Sequence, residues 1–328
     1  MSHARHVLIT GAGMVGAHTA RRLLDLGWRV TLLDREVPGE YLRSVLGPAA
    51  EYDTLEVDLT DSVAMAAALA DLRPTDVVHT AALIAARAQR DVVETIEVNV
   101  SAPLRLAAWA SSAGVSRFVA VSSWSVYDER QPAPITEDSP VCTRFDSYYV
   151  ASKLAMEHLL SAFASRSGLA TVALRPAVVY GHGPNLGGAV GSAVLEAQML
   201  RAVRGLPVEL PATVLSCTEL VFVEDVAAAA VAALQADLDE VFSTCTVGSG
   251  ELTTVEDLAD TFRQLFPGVP VTIGPGAASS VVPPVPTMPT AGAQLRAHLG
   301  IGEPLRRNDG FARFADDLRA AASARTAM

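Results

Sequence analysis

Short runs rich in Val, Leu and Ile alternate with longer amphipathic stretches through the first half of this sequence, and no other feature restricts the fold as much. The runs occupy residues 6–10, 29–33, 54–57, 76–80, 117–122 and 170–175. Strands that are apolar along their whole length must be covered on both faces, and the helical stretches between them supply the cover. The expected class is therefore α/β, a Rossmann-type doubly wound parallel sheet. Helix punctuation supports it: residues 17–26 end at Gly27, and residues 62–72 follow the capping candidates Thr60 and Asp61 and stop before Pro74. Residues 91–113 and 148–165 form two longer helical stretches, each ending near a glycine.

Beyond Arg175 the pattern loosens. A Gly/Pro-rich loop at 180–188 leads to a helix over 189–204, short strands near Val208 and Leu220, a helix over 224–236, a strand over 241–247 and a helix over 254–266. The Pro/Ala/Ser stretch 274–289 reads as an irregular connection and the tail as helical. The expected organisation is a sheet domain over 1–180 with a return segment near 213–247, and a smaller α/β lid built mainly from 181–328.

The motif that gives the first domain a purpose is Thr10-Gly11-Ala12-Gly13-Met14-Val15-Gly16, which follows a strand and opens a helix. Gly11 permits the tight turn, Gly13 lets backbone approach a pyrophosphate, and Gly16 allows close packing, while the helix start through Met14 and Val15 attracts the anion. Asp34 ends the second strand eighteen residues after Gly16, where a carboxylate accepts both hydroxyls of an adenosine ribose. That carboxylate repels a 2′-phosphate and favours NAD over NADP; the neighbouring Arg35 could instead pair with the phosphate. Asp58, after strand three, either reaches an adenine amino group or, like Asp61, caps the next helix.

A second constellation is Tyr149-Val150-Ala151-Ser152-Lys153 at a helix start. A spacing of four puts the phenol and the ammonium on one face, where the cation favours tyrosinate and lowers its pKa, so Tyr149 is a candidate general acid/base. Ser122 and Ser123 stand at the carboxyl end of the fifth strand, where open α/β sheets bind ligands, and a hydroxyl there can orient a substrate oxygen toward Tyr149.

Composition removes other classes. Lys plus Arg number 25 against 36 Asp plus Glu, a formal net charge of -11, and no basic run occurs, so a nucleic-acid partner is disfavoured. Mean hydropathy is +0.30, yet the longest apolar run, 226–234, is half the length of a bilayer span and no signal-peptide pattern opens the sequence; the expectation is a cytoplasmic protein with no membrane partner. Cys142, Cys217 and Cys245 lack a CxxC spacing, so they read as buried thiols rather than a disulfide framework or a metal site, and no metal is expected.

Taken together, these motifs resemble the extended short-chain dehydrogenase/reductases, the NAD-dependent epimerase/dehydratase group that includes nucleotide-sugar 4-epimerases. The resemblance runs through the glycine turn, Asp58-Leu59, His79-Thr80-Ala81-Ala82, Asn99-Val100, Ser122 to Tyr127, Tyr149 to Lys153 with Glu157, Leu174-Arg175-Pro176, Val179-Tyr180-Gly181 and Phe222 to Ala227. It implies Ser123 as catalytic hydroxyl, Tyr149 as acid/base and Lys153 as the residue that binds the nicotinamide ribose and tunes Tyr149. It further implies that Leu59, Ala81, Ala82 and Val121 line the cofactor, Asn99 braces the cofactor-side loops, and Pro176 and Val178 border the nicotinamide. Members commonly form homodimers through the helices corresponding to 91–113 and 148–165.

The departures bear on substrate. The glycine turn is one residue shorter than the family's usual GxxGxxG. Where members that grip a nucleotide-sugar diphosphate place an arginine, this sequence has Thr218 beside Glu219, a carboxylate expected to repel a diphosphate. Trp124-Ser125 replaces the Asp-Glu pair of the dehydratases, so dehydration is disfavoured. Trp124 is expected as a pocket wall and Ser125 as its neighbour. His182 is either a pocket base or a solvated loop residue, Arg87 and Arg90 either reach substrate anions or are solvated, and Cys142 is expected to be an inert thiol far from the Ser123 motif. The expected activity is hydride transfer at a secondary hydroxyl or ketone of a sugar-like small molecule lacking a diphosphate handle. The alternatives are a nucleotide-sugar 4-epimerase proper and a catalytically silent NAD(P)-sensing protein.

Overall fold

The structure is a computed structural model that describes residues 5–128, 130–131, 134–184, 190–212, 217–275, 288–291, 299–302 and 304–326. Its centre is a seven-stranded sheet in which every pairing is parallel. In chain order the first strands are β1 (His6–Thr10), β2 (Arg29–Asp34), β3 (Asp53–Glu56), β4 (Asp76–His79), β5 (Arg117–Val121) and β6 (Ala170–Pro176). Later strands are β7 (Val178–Tyr180), β8 (Val208–Pro211), β9 (Cys217–Phe222), β10 (Phe242–Val247), β11 (Leu252–Thr254) and β12 (Val271–Gly274). The spatial order β10-β6-β5-β4-β1-β2-β3 reverses direction between β1 and β4, which opens a crevice at their carboxyl ends. β10, expected as a strand over 241–247 within the return segment, forms the edge of the sheet beside β6 with Val247 opposite Pro176.

Helices cover both faces: α1 (Met14–Asp25), α2 (Gly39–Leu46), α3 (Ser62–Leu69), α4 (Ala85–Arg90), α5 (Val92–Ile96), α6 (Ala102–Ser112), α7 (Tyr148–Ser167), α8 (Val190–Val203), α9 (Val223–Gln235), α10 (Val255–Leu265) and α11 (Arg307–Thr326). The continuous apolar strands divide their side chains accordingly. Val7, Ile9, Val78 and Val119 pack with Ala17, Ala20 and the alanines of α9, while Leu8, Val77, Phe118 and Ala120 pack with Leu106, Ala107, Met156 and Leu160. A third cluster, centred on Tyr180, Phe222, Phe262, Phe311 and Phe314, holds α8, β8, β9, α10 and α11 together.

The stretch 91–113 differs from the single helix its length predicts. A π-helical turn at Glu97–Ser101 separates α5 from α6. Pro103, in the first turn of α6, has no N–H to continue an α-ladder, which suits a wide turn just before it, and the extra residue rotates Asn99 into the interior. Residues 185–188 of the loop 180–188 and most of the stretch 274–289 lie outside the described residues. No helix among the described residues is long and apolar enough to cross a membrane.

Candidate active site

The glycine turn is shaped by two contacts that only glycine allows. Gly11 sits at φ +95, where an added Cβ would meet Thr80 Oγ1 at 2.5 Å, and a Cβ on Gly16 would lie 1.9 Å from the Gly11 carbonyl oxygen. A Cβ on Gly13, by contrast, would meet nothing within 4 Å, so the space over the start of α1 is open. No side chain caps that helix, and Met14, Val15 and Gly16 present first-turn N–H groups there. Thr80 locks the turn from β4 by donating its hydroxyl to the Thr10 and Gly11 carbonyls at 3.0 and 2.9 Å. At the end of β2, Asp34 Oδ2 accepts the Ala12 N–H at 2.6 Å, which fastens the carboxylate to the shortened turn. An uncapped helix start, an open Gly13 and an acidic residue beside them make a donor set that fits a dinucleotide.

Arg35 is exposed. Asp58 folds back on Thr60, accepting its N–H and hydroxyl at 2.8 and 2.7 Å, and the cap of α3 falls to Asp61, which accepts from Val63 and Ala64. Burial works to raise the Asp58 carboxyl, but the two Thr60 bonds and the Arg35 guanidinium outweigh it and hold the group below its ordinary value. Leu59 is buried beside it, and Ala81 and Ala82 are half-buried in the loop after β4.

Across the crevice, α7 is capped by Ser147 and begins with the Tyr149 to Lys153 turn. Lys153 is 2% exposed, and its ammonium donates to the Val121 carbonyl at 2.8 Å while lying 5.9 Å from the centre of the Tyr149 ring. Burial lowers its pKa to about 8, against the pull of the Glu157 carboxylate one turn on. Tyr149 behaves differently from the expectation. Burial raises its hydroxyl above the ordinary value and the opposing contribution is a hydrogen bond with Ser123, because the lysine is drawn away onto Val121. Ser123 Oγ is in turn 2.8 Å from Ser125 Oγ. Asn99 spans the two sides: its amide accepts the Leu83 N–H at 2.8 Å and donates to the Leu83 carbonyl and to Ser152 Oγ, both at 2.9 Å. Pro176 is buried at the end of β6 and Val178 half-buried next to it.

Below Lys153, His79 is 1% exposed, with Nδ1 2.6 Å from Thr10 Oγ1. Burial and then the lysine charge lower its pKa to about 3, so it is neutral. Glu157 meets the buried Arg175, whose Nη2 donates at 2.6 Å, and Arg175 stacks on Tyr127 with 4.8 Å to the ring centre.

Several expectations are corrected. Trp124 is no pocket wall: it is 2% exposed and packs in the core with Leu174 and Val247. His182 is neither solvated nor a free pocket base, since Nδ1 is 2.9 Å from Glu196 and Nε2 3.0 Å from Ser44 Oγ in a buried setting. Cys142 is close to the Ser123 motif, its thiol 3.1 Å from the Tyr127 carbonyl. Of the three cysteines only Cys245 is buried; Cys142 is half-buried and Cys217 exposed. Arg87 and Arg90 are exposed on α4. Glu219 does not present its charge outward: fully buried, it accepts from Gly250 N, Thr290 N and Thr290 Oγ1, each at 2.7 Å. Thr80, named in the sequence only as part of His79-Thr80-Ala81-Ala82, could not be seen there to lock the glycine turn, because its partners lie about seventy residues earlier.

The sequence profile of the NAD dependent epimerase/dehydratase family matches residues 7–245. The chain belongs to the NAD-dependent epimerase/dehydratase family. Among curated relatives, a 3 beta-hydroxysteroid dehydrogenase/Delta 5-->4-isomerase of Mycobacterium tuberculosis is 34% identical over 184 residues, 54% of this chain and 48% of its own. A UDP-glucose 4-epimerase of Erwinia amylovora is 34% identical over 177 residues, 52% of each chain. The chain thus spans about half the length of these relatives. Among solved structures, MoeE5 in complex with UDP-glucose and NAD is similar with a TM-score of 0.76 at 26% identity, over 97% of this chain and 99% of that one. The UDP-glucose 4-epimerase of Thermus thermophilus in complex with NAD has a TM-score of 0.73 at 27% identity, over 96% and 99%.

Proposed function

We propose that this protein is an NAD-dependent oxidoreductase or epimerase that works at a secondary hydroxyl or ketone of a sugar-like small molecule. The observation that carries the reading is the joining of Tyr149 to Ser123 above a buried Lys153 at the carboxyl ends of the sheet, opposite the open glycine turn. In this reading the N–H groups at the start of α1 hold the diphosphate of NAD, Asp34 reads the adenosine ribose, Lys153 holds the nicotinamide ribose, and Ala81, Ala82, Val121, Pro176 and Val178 line the rest. The elements after residue 180 serve mainly as the substrate lid. Bound NAD would supply the hydride acceptor and a positive charge beside the Tyr149 hydroxyl.

Ser123 Oγ orients the substrate oxygen, with Ser125 fixing the serine rotamer, and Tyr149 Oη takes the proton of the hydroxyl as the carbon loses hydride. The raised pKa of Tyr149 in the protein alone keeps the phenol protonated there, so the group is ready to give a proton to a ketone and needs the added positive charge to accept one. Trp124 and Ser125 stand where water elimination would need an acid/base pair, which favours hydride transfer without dehydration.

A nucleotide-sugar 4-epimerase is the second reading, favoured by the likeness over nearly the whole chain to structures that hold UDP-glucose and NAD. Glu219, being tied down inside the fold, presents no obstacle to it. Mass spectrometry of the cofactor carried by native protein, followed by an NAD-reduction screen over sugars, sugar nucleotides and hydroxysteroids, tests both. Net reduction with a free polyol supports the first reading, and retained cofactor with interconversion of UDP-sugars and no net reduction supports the second. Protein that carries and binds no NAD defeats both and favours a non-catalytic role.

A further inference from the structure

His18 lies on α1, one turn past the glycine turn, and is completely buried. Its Nδ1 stands 2.5 Å from Glu224 Oε1 and its Nε2 3.0 Å from the backbone oxygen of His182. A carbonyl oxygen can only accept. Glu224 also only accepts: burial works to raise its carboxyl, but the His18 bond and the Arg21 and Arg22 guanidiniums hold it below the ordinary value. Arg21 Nη2 reaches its Oε1 at 2.5 Å and Arg22 Nη1 its Oε2 at 3.3 Å. With acceptors on both sides, both contacts are hydrogen bonds only when each ring nitrogen carries a proton, that is, when His18 is an imidazolium.

The loop that His18 grips is held from every other side. The His182 oxygen also accepts the Tyr41 hydroxyl of α2 at 3.0 Å. Ser44 Oγ gives its own proton to the Tyr41 carbonyl at 2.7 Å, so it accepts from His182 Nε2, while His182 Nδ1 and the Gly183 N–H both point to Glu196 of α8. Gly183 presses on the first residue of α1, for a Cβ there would come within 2.8 Å of Met14 Cε.

We propose that His18 is a positioning residue for the dinucleotide: donating from both ring nitrogens, it ties the His182 loop to Glu224 and holds it against the start of α1, and cofactor affinity falls when that tie is removed. The proposal rests on the reading of the glycine turn as an NAD site. The groups facing the ring are Glu224 from α9, Arg21 and Arg22 from its own helix, His182 with Glu196 behind it, and Tyr41 from α2; Asp317 of α11 lies 3.5 Å beyond on Arg21.

NAD affinity is measured by calorimetry on the full chain for wild type and His18→Gln. Glutamine donates from a single amide nitrogen and cannot bridge both acceptors. The variant should bind NAD about tenfold more weakly than wild type, and turnover at saturating NAD should change less than affinity. A variant within about twofold of wild type overturns the inference while wild-type binding leaves the NAD reading intact. Wild type that binds no NAD defeats that reading instead. Should His18→Gln fail to fold, the ring nitrogen shifts of His18 in labelled wild type decide: two protonated nitrogens at about pH 7 support the imidazolium, and a neutral ring overturns it.

Discussion

Glu157→Gln perturbs two things that the structure joins. Arg175 donates to the carboxylate through Nε at 3.1 and 3.2 Å and through Nη2 at 2.6 Å, with side-chain exposures of only 7% and 3%. Removing one partner of such a pair strands a buried charge, typically a loss of about 3–5 kcal/mol. Glutamine keeps a carbonyl acceptor for one of the N–H groups, so the lower end, about 3 kcal/mol, applies. At roughly 2 °C per kcal/mol for a chain of this size, the melting temperature should fall by about 6 °C. The same change withdraws the negative charge that supports the Lys153 ammonium against burial, whose pKa already lies at about 8. Lys153 is charged below that value and loses its charge as pH rises through it, so a lower value brings the loss earlier. The alkaline limb of the activity profile should therefore move to lower pH. Thermal melts by circular dichroism and a pH-rate profile read both effects, and Glu157→Met with Arg175→Met together should recover most of the stability but not the profile. A melt within about 1 °C of wild type with an unmoved alkaline limb would refute the reasoning.

Asp34→Ser should narrow the preference for NAD over NADP, because the repelling carboxylate is gone, and should also weaken NAD itself, because the Ala12 N–H loses its acceptor; calorimetry with both cofactors reads the two effects. Ser123→Ala should lower turnover by less than loss of the Tyr149 hydroxyl does, since an orienting bond is removed and the proton acceptor stays, and steady-state kinetics of the two variants give the order. Val92, Val93 and Ile96 on α5 and Leu159 on α7 are exposed apolar residues on the two helices expected to pair between subunits, so sedimentation should show a dimer at micromolar concentration, and a monomer there would exclude that pairing.

The sheet was legible because strands buried on both faces write continuous apolar runs, and all six expected from the first half lie within one residue of β1 to β6 at either end. Short elements were not legible: α2 and α4 have eight and six residues, too few for a period to stand out, and β7, β11 and β12 have three or four. The π-helical turn was hidden for a different reason, since its apolar spacing continues that of its neighbours and only Pro103 hints at the change. At the site, spacing brought out residues whose chemistry is local, such as Tyr149 with Lys153 four later. It could not show that Lys153 is spent on a carbonyl 32 positions away, or that His18 and Glu224, more than two hundred residues apart, are partners. Trp124 and His182 were misjudged because exposure in a loop depends on what packs over it, and that comes from distant elements, β6 and β10 for Trp124 and α2 and α8 for His182.

Loss of the Tyr149 hydroxyl bears on the chemistry without moving the fold, because phenylalanine fills the same space. The rate of reduced nicotinamide formation in a single turnover, on the substrate found by the screen, is measured for wild type and Tyr149→Phe at saturating NAD. Turnover should fall by at least the roughly 10² to 10⁴ typical of general acid/base catalysis, with NAD affinity nearly unchanged. A Tyr149→Phe enzyme that keeps close to the wild-type rate would contradict the assignment of Tyr149 as the proton acceptor, and with it the Ser123, Tyr149 and Lys153 mechanism.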